Sequence, residues 1–179
     1  MKLKEIVQLS NFYYKLASYK LKMLEEAPTL ISTDVCAKCG GKCCKTMPGA
    51  TKPSQWGSDN YEIKNNIEQA LNSGNYSVDF YEDSDPVYHK IYYIRPSVVG
   101  SKSMISNVPS GTCSFLTPKG CSLDHEHRPV ECQNLEAVDP GGSSCQPSSE
   151  DFKLENIVRS WEPYQNIIKF ILKKNGYYP

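Results

Sequence analysis

Cys36-Ala37-Lys38-Cys39-Gly40-Gly41-Lys42-Cys43-Cys44 is the stretch on which the reading of this chain turns. Two cysteines separated by two residues have the knuckle spacing of thiolate metal sites, where a tight turn aims both sulfurs at one cation and backbone amides donate to them. Gly40 and Gly41 suit the turn that brings Cys43 round, and Pro48, Gly49 and Pro53 follow, so the whole block reads as loop rather than helix or strand. Neighbouring side chains in extended backbone leave on opposite sides. Adjacent Cys43 and Cys44 therefore either divide between two sites or contribute only one ligand. Working outward, Cys113, Cys121, Cys132 and Cys145 form a second block. Together the 8 cysteines could fill two tetrahedral zinc shells or hold an iron–sulfur cluster. All eight are candidate metal ligands, over a region spanning about 36–145, and the expected cofactor is zinc or iron. The spacing does not match the bacterial ferredoxin run, and it does not decide between one site and two.

An even cysteine count also fits the disulfide framework of a small secreted domain. Lys2, Lys4, Lys15, Lys20 and Lys22 interrupt the apolar residues of the first segment, which is unlike a secretory signal. No run reaches the roughly 20 apolar residues of a membrane span. The expectation is a cytoplasmic chain with reduced thiols and no membrane association. Lys plus Arg and Asp plus Glu are both 20, so no excess of positive charge favours nucleic acid. An apolar content of 39 %, with 12 prolines and 11 glycines, describes a loop-rich fold helped by staples.

Around the cysteines the patterns predict a single α+β domain, with helices at both ends of a short β-hairpin. Leu3, Ile6, Val7, Phe12, Tyr13, Leu16, Ala17, Leu21 and Leu24 approximate a helical repeat up to Pro28. Asp59 with Glu62 predicts a capping box opening a second helix, whose apolar face is Ile63, Ile67, Ala70 and Leu71 and whose stop is Gly74. Tyr76–Tyr81 and Lys90–Ile94 read as two strands joined across Asp83 to Pro86. Ser148 with Asp151 predicts another capping box, before a helix bearing Phe152, Ile157, Val158 and Trp161. Pro163 must kink or divide that helix, and Ile167, Ile168, Ile171 and Leu172 continue its face to Gly176.

At Cys36-Ala-Lys-Cys39-Gly-Gly-Lys-Cys43-Cys44, Cys113-Ser-Phe-Leu116, Gly120-Cys121-Ser-Leu123 and Arg128-Pro129-Val-Glu-Cys132, the chain resembles the YkgJ-type cysteine-cluster family, described as a zinc- or iron-chelating domain. The resemblance spans residues 36 to 132 and leaves the flanking helices outside. Asp124 stands where the family often has an aromatic residue, and Gln133 where a basic one is frequent. Some larger proteins with a similar cluster look like iron–sulfur-dependent lysine methylases acting on flagellin. The function this implies is metal binding through cysteine thiolates in a structural or metal-handling role. The alternatives are an iron–sulfur redox or methyl-transfer enzyme and a zinc-stapled adaptor for a protein partner. No catalytic residue stands out: there is no P-loop, no glycine-rich cofactor loop and no Ser-His-Asp order. His125, His127 and His89 read as loop or strand residues, and Asp83, Asp85 and Glu131 as solvent-facing carboxylates. Arg128 is placed to orient its loop through backbone carbonyls or to offset thiolate charge.

Overall fold

The computed structural model describes residues 40–82, 90–101, 103–106, 110–118, 120–138 and 144–177. The amphipathic first segment, Cys36, Cys39, the turn at Asp83 to Pro86 and His89 lie outside the described residues. Over the rest the protein is a mixture of short helices and three two-stranded antiparallel sheets. No described helix is long and apolar enough to cross a membrane.

Helix α1 (Lys42–Thr46) corrects the loop reading of the first cysteine block. Gly40 and Gly41 both take left-handed backbone, at φ 62° and 73°, and Gly41 is the N-cap. A side chain is disfavoured there, so the two glycines let the chain turn directly into the helix. The Cys44 and Thr46 carbonyls, which a five-residue helix leaves without internal partners, accept the amides of Cys113 and Gly111 at 2.7 Å each. Tertiary pairing therefore stabilises a helix too short to form alone.

Helix α2 (Asn60–Asn72) starts where predicted. The Asp59 carboxylate accepts from the Tyr61 and Glu62 amides at 2.8 and 2.9 Å. Glu62 reaches back one residue further than a capping box requires, accepting from the amide and hydroxyl of Ser58 at 2.9 Å each. Ile63, Ile67 and Leu71 are buried, and Gly74 at φ 74° ends the last turn.

Strands β1 (Tyr76–Tyr81) and β2 (Ile91–Pro96) pair antiparallel from Tyr76 opposite Pro96 to Tyr81 opposite Ile91. All six residues of β2 are buried, because its outer edge is covered. The Gln165 side chain both donates to the Tyr92 carbonyl and accepts from its amide, at 2.8 and 2.9 Å. Thr51 donates to the Ile94 carbonyl from its amide and its hydroxyl, at 3.0 and 2.7 Å. On the other edge, the Val78 amide donates to the Met104 carbonyl at 2.8 Å and its carbonyl accepts from the Ser106 amide at 2.7 Å.

After the short helix α3 (Val130–Gln133), helices α4 (Leu154–Arg159) and α5 (Gln165–Lys174) close the core. Pro163 sits in the short 3-10 turn Glu162–Tyr164 that divides them, as its missing amide demands. The capping box expected at Ser148 and Asp151 does not form: a 3-10 turn occupies Glu150–Phe152, its N-cap Ser149 makes no side-chain bond, and α4 starts four residues later at Leu154. Trp161, Ile157, Val158, Ile168, Ile171 and Leu172 are fully buried against Ile63, Ile67, Ile91 and Ile94.

The remaining strands are minimal: β3 (Leu116–Thr117) with β4 (Gly120–Cys121), and β5 (Leu135–Ala137) with β6 (Cys145–Pro147). They and α3 carry Cys121, Cys132 and Cys145. Cys113, Phe115, Cys121 and Leu123 make a second, smaller cluster, joined to the main core by the ring series Trp56, Tyr76 and Phe115, with centroids 5.1 and 5.3 Å apart.

Candidate metal centre

The segment from Met47 to Thr51 joins α1 to the core, and its hydrogen bonds fix where the thiols lie. Thr51 is buried and fully used: its hydroxyl also accepts from Trp56 Nε1 at 2.9 Å, and its carbonyl accepts from Trp161 Nε1 at 2.6 Å. One residue earlier, the Ala50 amide donates to Glu131 Oε2 at 2.6 Å while its carbonyl accepts the Glu131 amide at 3.3 Å. This two-way clamp corrects the reading of Glu131 as solvent-facing. Burial raises the Glu131 carboxyl above the usual carboxylate range, with the Ala50 amide and the Arg95 charge acting in the opposite direction. Gly49, one residue further back, lies so close to α3 that a Cβ there would stand 2.5 Å from Cys132 Sγ. The Gly49 amide favours the Cys132 thiolate, against the larger effect of burial.

Five thiols come from separate parts of the chain: Cys43 and Cys44 on α1, Cys113 ahead of β3, Cys121 on β4 and Cys132 on α3, with Cys44 packed on the cluster that holds Cys113 and Cys121, and Cys43 and Cys132 lining one cavity. None of the five is in a disulfide. The adjacent Cys44 thiol donates towards Cys43. That bond from Cys44, opposed by burial and aided by the amides of Cys44 and Cys43 and the charge of Arg128, lowers the Cys43 thiol to about 6. Cys44, as the donor, is pushed far above the thiol range, and burial and the charges of Cys43, Cys132 and Cys113 act in the same direction. Burial raises Cys113 to about 11, with Cys121 and Cys43 adding to the rise. Burial, then Glu131 and Cys43, raise Cys132 further.

Arg128 does both things expected of it. Its Nε donates to the Leu123 carbonyl at 3.2 Å, and its charge favours the Cys43 thiolate. Its Nη2 is buried with no hydrogen-bond partner among the described residues. The two departures from the family pattern serve the same loop: Asp124 caps the turn His125–His127, and Gln133 donates to the Glu126 and Arg128 carbonyls at 3.0 and 2.8 Å. His125 and His127 are exposed, His127 lying 2.5 Å from Asp124.

Beside the thiols lies a cavity of about 500 Å³, lined by Cys43, Cys132 and Cys145 together with Lys42, Glu131 and Leu135. Among the described residues no group of three or more Cys, His, Asp or Glu side chains is placed so that it could hold a metal ion. The chemistry of the donor set nevertheless fits a soft cation. The site tolerates one thiolate, Cys43, and resists ionising Cys44, Cys113 and Cys132; a thiophilic cation reverses that preference, because coordinated thiols deprotonate outright. The sequence reading places Glu131 in solvent and gives Gly49 and Thr51 no part in the site. Pro48-Gly49 marked a turn, but nothing in one sequence says what a glycine lies against. Compared with known protein families, curated proteins and solved structures, the chain matches none.

Proposed function

We propose that this protein binds zinc or iron through its cysteine thiolates, in a structural or metal-handling role. The supporting observation is that cysteines distant in the chain are neighbours in the fold: Cys44 packs on the cluster that holds Cys113 and Cys121, and Cys43, Cys132 and Cys145 line one cavity. Thiols brought together from distant parts of the chain are the donor type that zinc and iron take. Cys36, Cys39 and Cys145 complete the ligand inventory. The same reading follows from the resemblance to the YkgJ-type cysteine-cluster family, of which we propose the chain is a member. When bound, the metal would supply the charge that ionises the thiols and a cross-link between elements too small to hold one another. Arg128 and the Gly49 amide would stabilise the thiolates, and Glu131 would keep α3 in place.

A second reading, an iron–sulfur redox or methyl-transfer enzyme, is favoured by the cavity that reaches Cys43 and Cys132, since it would admit a substrate to the centre. Metal analysis and the visible spectrum of protein purified without oxygen test both. Zinc without a visible band, lost in Cys44→Ser and Cys132→Ser, is the result expected of a closed thiolate site. Iron with labile sulfide and a broad visible band would favour the enzyme. Protein without metal, or variants that keep the full complement, would overturn the proposal.

A further inference from the structure

Helices α2 and α5 lie side by side and run in the same direction: the Lys64 ammonium is 5.3 Å from the centre of the Phe170 ring, and one turn further along both helices Glu68 pairs with Lys174. Residues three and four apart share a helix face. Tyr61, Lys64 and Glu68 of α2 therefore line one seam with Ile167, Phe170 and Lys174 of α5. Of the large apolar side chains exposed among the described residues, the two aromatic ones flank this seam, Tyr61 at 73 % exposure and Phe170 at 54 %. Exposed apolar residues scattered singly are ordinary, whereas rings gathered along one helical groove are the form of a surface that another element covers. The charges of the seam are already matched, Lys64 over a ring and Glu68 with Lys174. Its occupant is selected by an apolar stripe rather than by net charge.

We propose that this seam is the docking site of the chain's own amphipathic N-terminal segment, residues 3–24, which packs on α2 and α5 as a third helix. The segment lies outside the described residues, and its sequence supplies what the seam lacks. Leu3, Val7, Leu21 and Leu24 recur at helical spacing, and Ser10 and Ala17 fall on the same stripe between them. Those two small side chains leave room for the Tyr61 and Phe170 rings, as the ridges of one helix enter the grooves of another. The link formed by residues 28–39 can extend about 40 Å, against a radius of gyration of roughly 16 Å for a chain of this length, so the segment reaches the seam from Gly40. Held in the same chain, it is presented at an effective concentration of order mM and fills the seam ahead of a second copy or a separate partner. The same segment leads into Cys36 and Cys39, so its docking also tethers these two candidate ligands to the fold.

The experiment combines amine cross-linking with hydrogen exchange, both read by mass spectrometry on the full chain. Links are expected from Lys15, Lys20 or Lys22 to Lys64, Lys169 or Lys173, and residues 3–24 should exchange more slowly than the same sequence as a free peptide. Tyr61→Asp and Phe170→Asp alter exposed positions that the rest of the fold tolerates. Each should speed exchange in residues 3–24 roughly tenfold or more, the effect of losing one large side chain from a packed surface. Ala17→Glu should do the same from the other side of the contact, whereas Val99→Asp, at an exposed position off the seam, should not. Exchange of residues 3–24 at the free-peptide rate in the wild type, or protection that both Tyr61→Asp and Phe170→Asp leave intact, would overturn the proposal. Links that form only between differently isotope-labelled chains, with protection that falls on dilution, would overturn it in favour of a second copy on the seam.

Discussion

The hairpin-and-helix half and the cysteine half of this molecule are held together in different ways. In the first, α2, β1, β2, α4 and α5 bury a continuous set of Ile, Val, Leu and Trp side chains, and even the polar edge of β2 is covered by Gln165 and Thr51. In the second, strands of two or three residues and a four-residue helix surround a cluster of four buried side chains, two of which are cysteines. Apolar burial contributes roughly 1.5–3 kcal/mol per large side chain, while ordering each residue costs about 1–2 kcal/mol of backbone entropy. The first half is stabilised by its own packing. The second has little to set against that entropy except its hydrogen bonds to the first half and whatever its thiols bind. A structural zinc site, such as we propose the thiols form, would contribute on the order of 10 kcal/mol or more.

Several substitutions would break or sharpen this contrast. Trp161→Ala should have the largest effect: it removes a fully buried ring and the donor to the Thr51 carbonyl, at a cost of about 3–5 kcal/mol. Denaturant unfolding should show it as a loss of the whole protein, because Thr51 also leads directly into the Glu131 clamp. Glu131→Ala should cost about 1–3 kcal/mol by leaving the Ala50 amide without its acceptor. Its signature is selective, with metal content falling while the hairpin keeps its protection from hydrogen exchange. Equal loss in both halves would mean that the clamp does not divide them. Asp59→Ala removes the cap of α2 and should cost only about 1 kcal/mol, with metal content unchanged.

The pH dependence is informative through its sign. With free thiols, burial raises Cys113 from the 9.0 of an ordinary thiol to about 11. The fold then favours the protonated form, so this contribution is complete below pH 9 and is lost as pH rises towards 11, where the unfolded chain releases the proton more readily. With metal bound the sign is opposite, since protons compete with the cation for the thiolates and stability is lost on acidification. Melting temperatures across pH, with and without a chelator, should show this reversal of slope. Identical slopes would mean that the thiols hold no metal.

Local signals made much of the first half legible. Asp59 and Glu62 announced the start of α2, Gly74 its stop, and Pro163 the division between α4 and α5, because each acts on backbone within a turn of itself. Where the determinants are distant, the sequence was less informative. Cys43 and Cys44 follow two glycines and were read as loop; they are helical because Gly111 and Cys113 arrive to take the helix's last carbonyls. Ser148 and Asp151 had the pattern of a capping box, but the chain takes a 3-10 turn first and the helix starts later. Glu131 looked like any surface carboxylate, and its role depends on Ala50, far away in the chain. The cysteine spacing identified the candidate ligands, whereas their division between an apolar cluster and a cavity depends on the helical backbone of α1.

Hydrogen exchange measured by mass spectrometry, before and after a chelator is added to anaerobically purified protein, tests the central claim most directly. The account predicts that α1, β3, β4 and α3 lose their protection when the metal is removed, while α2, β2 and α5 keep theirs. Unchanged protection around Cys113, Cys121 and Cys132 after complete metal removal would contradict it.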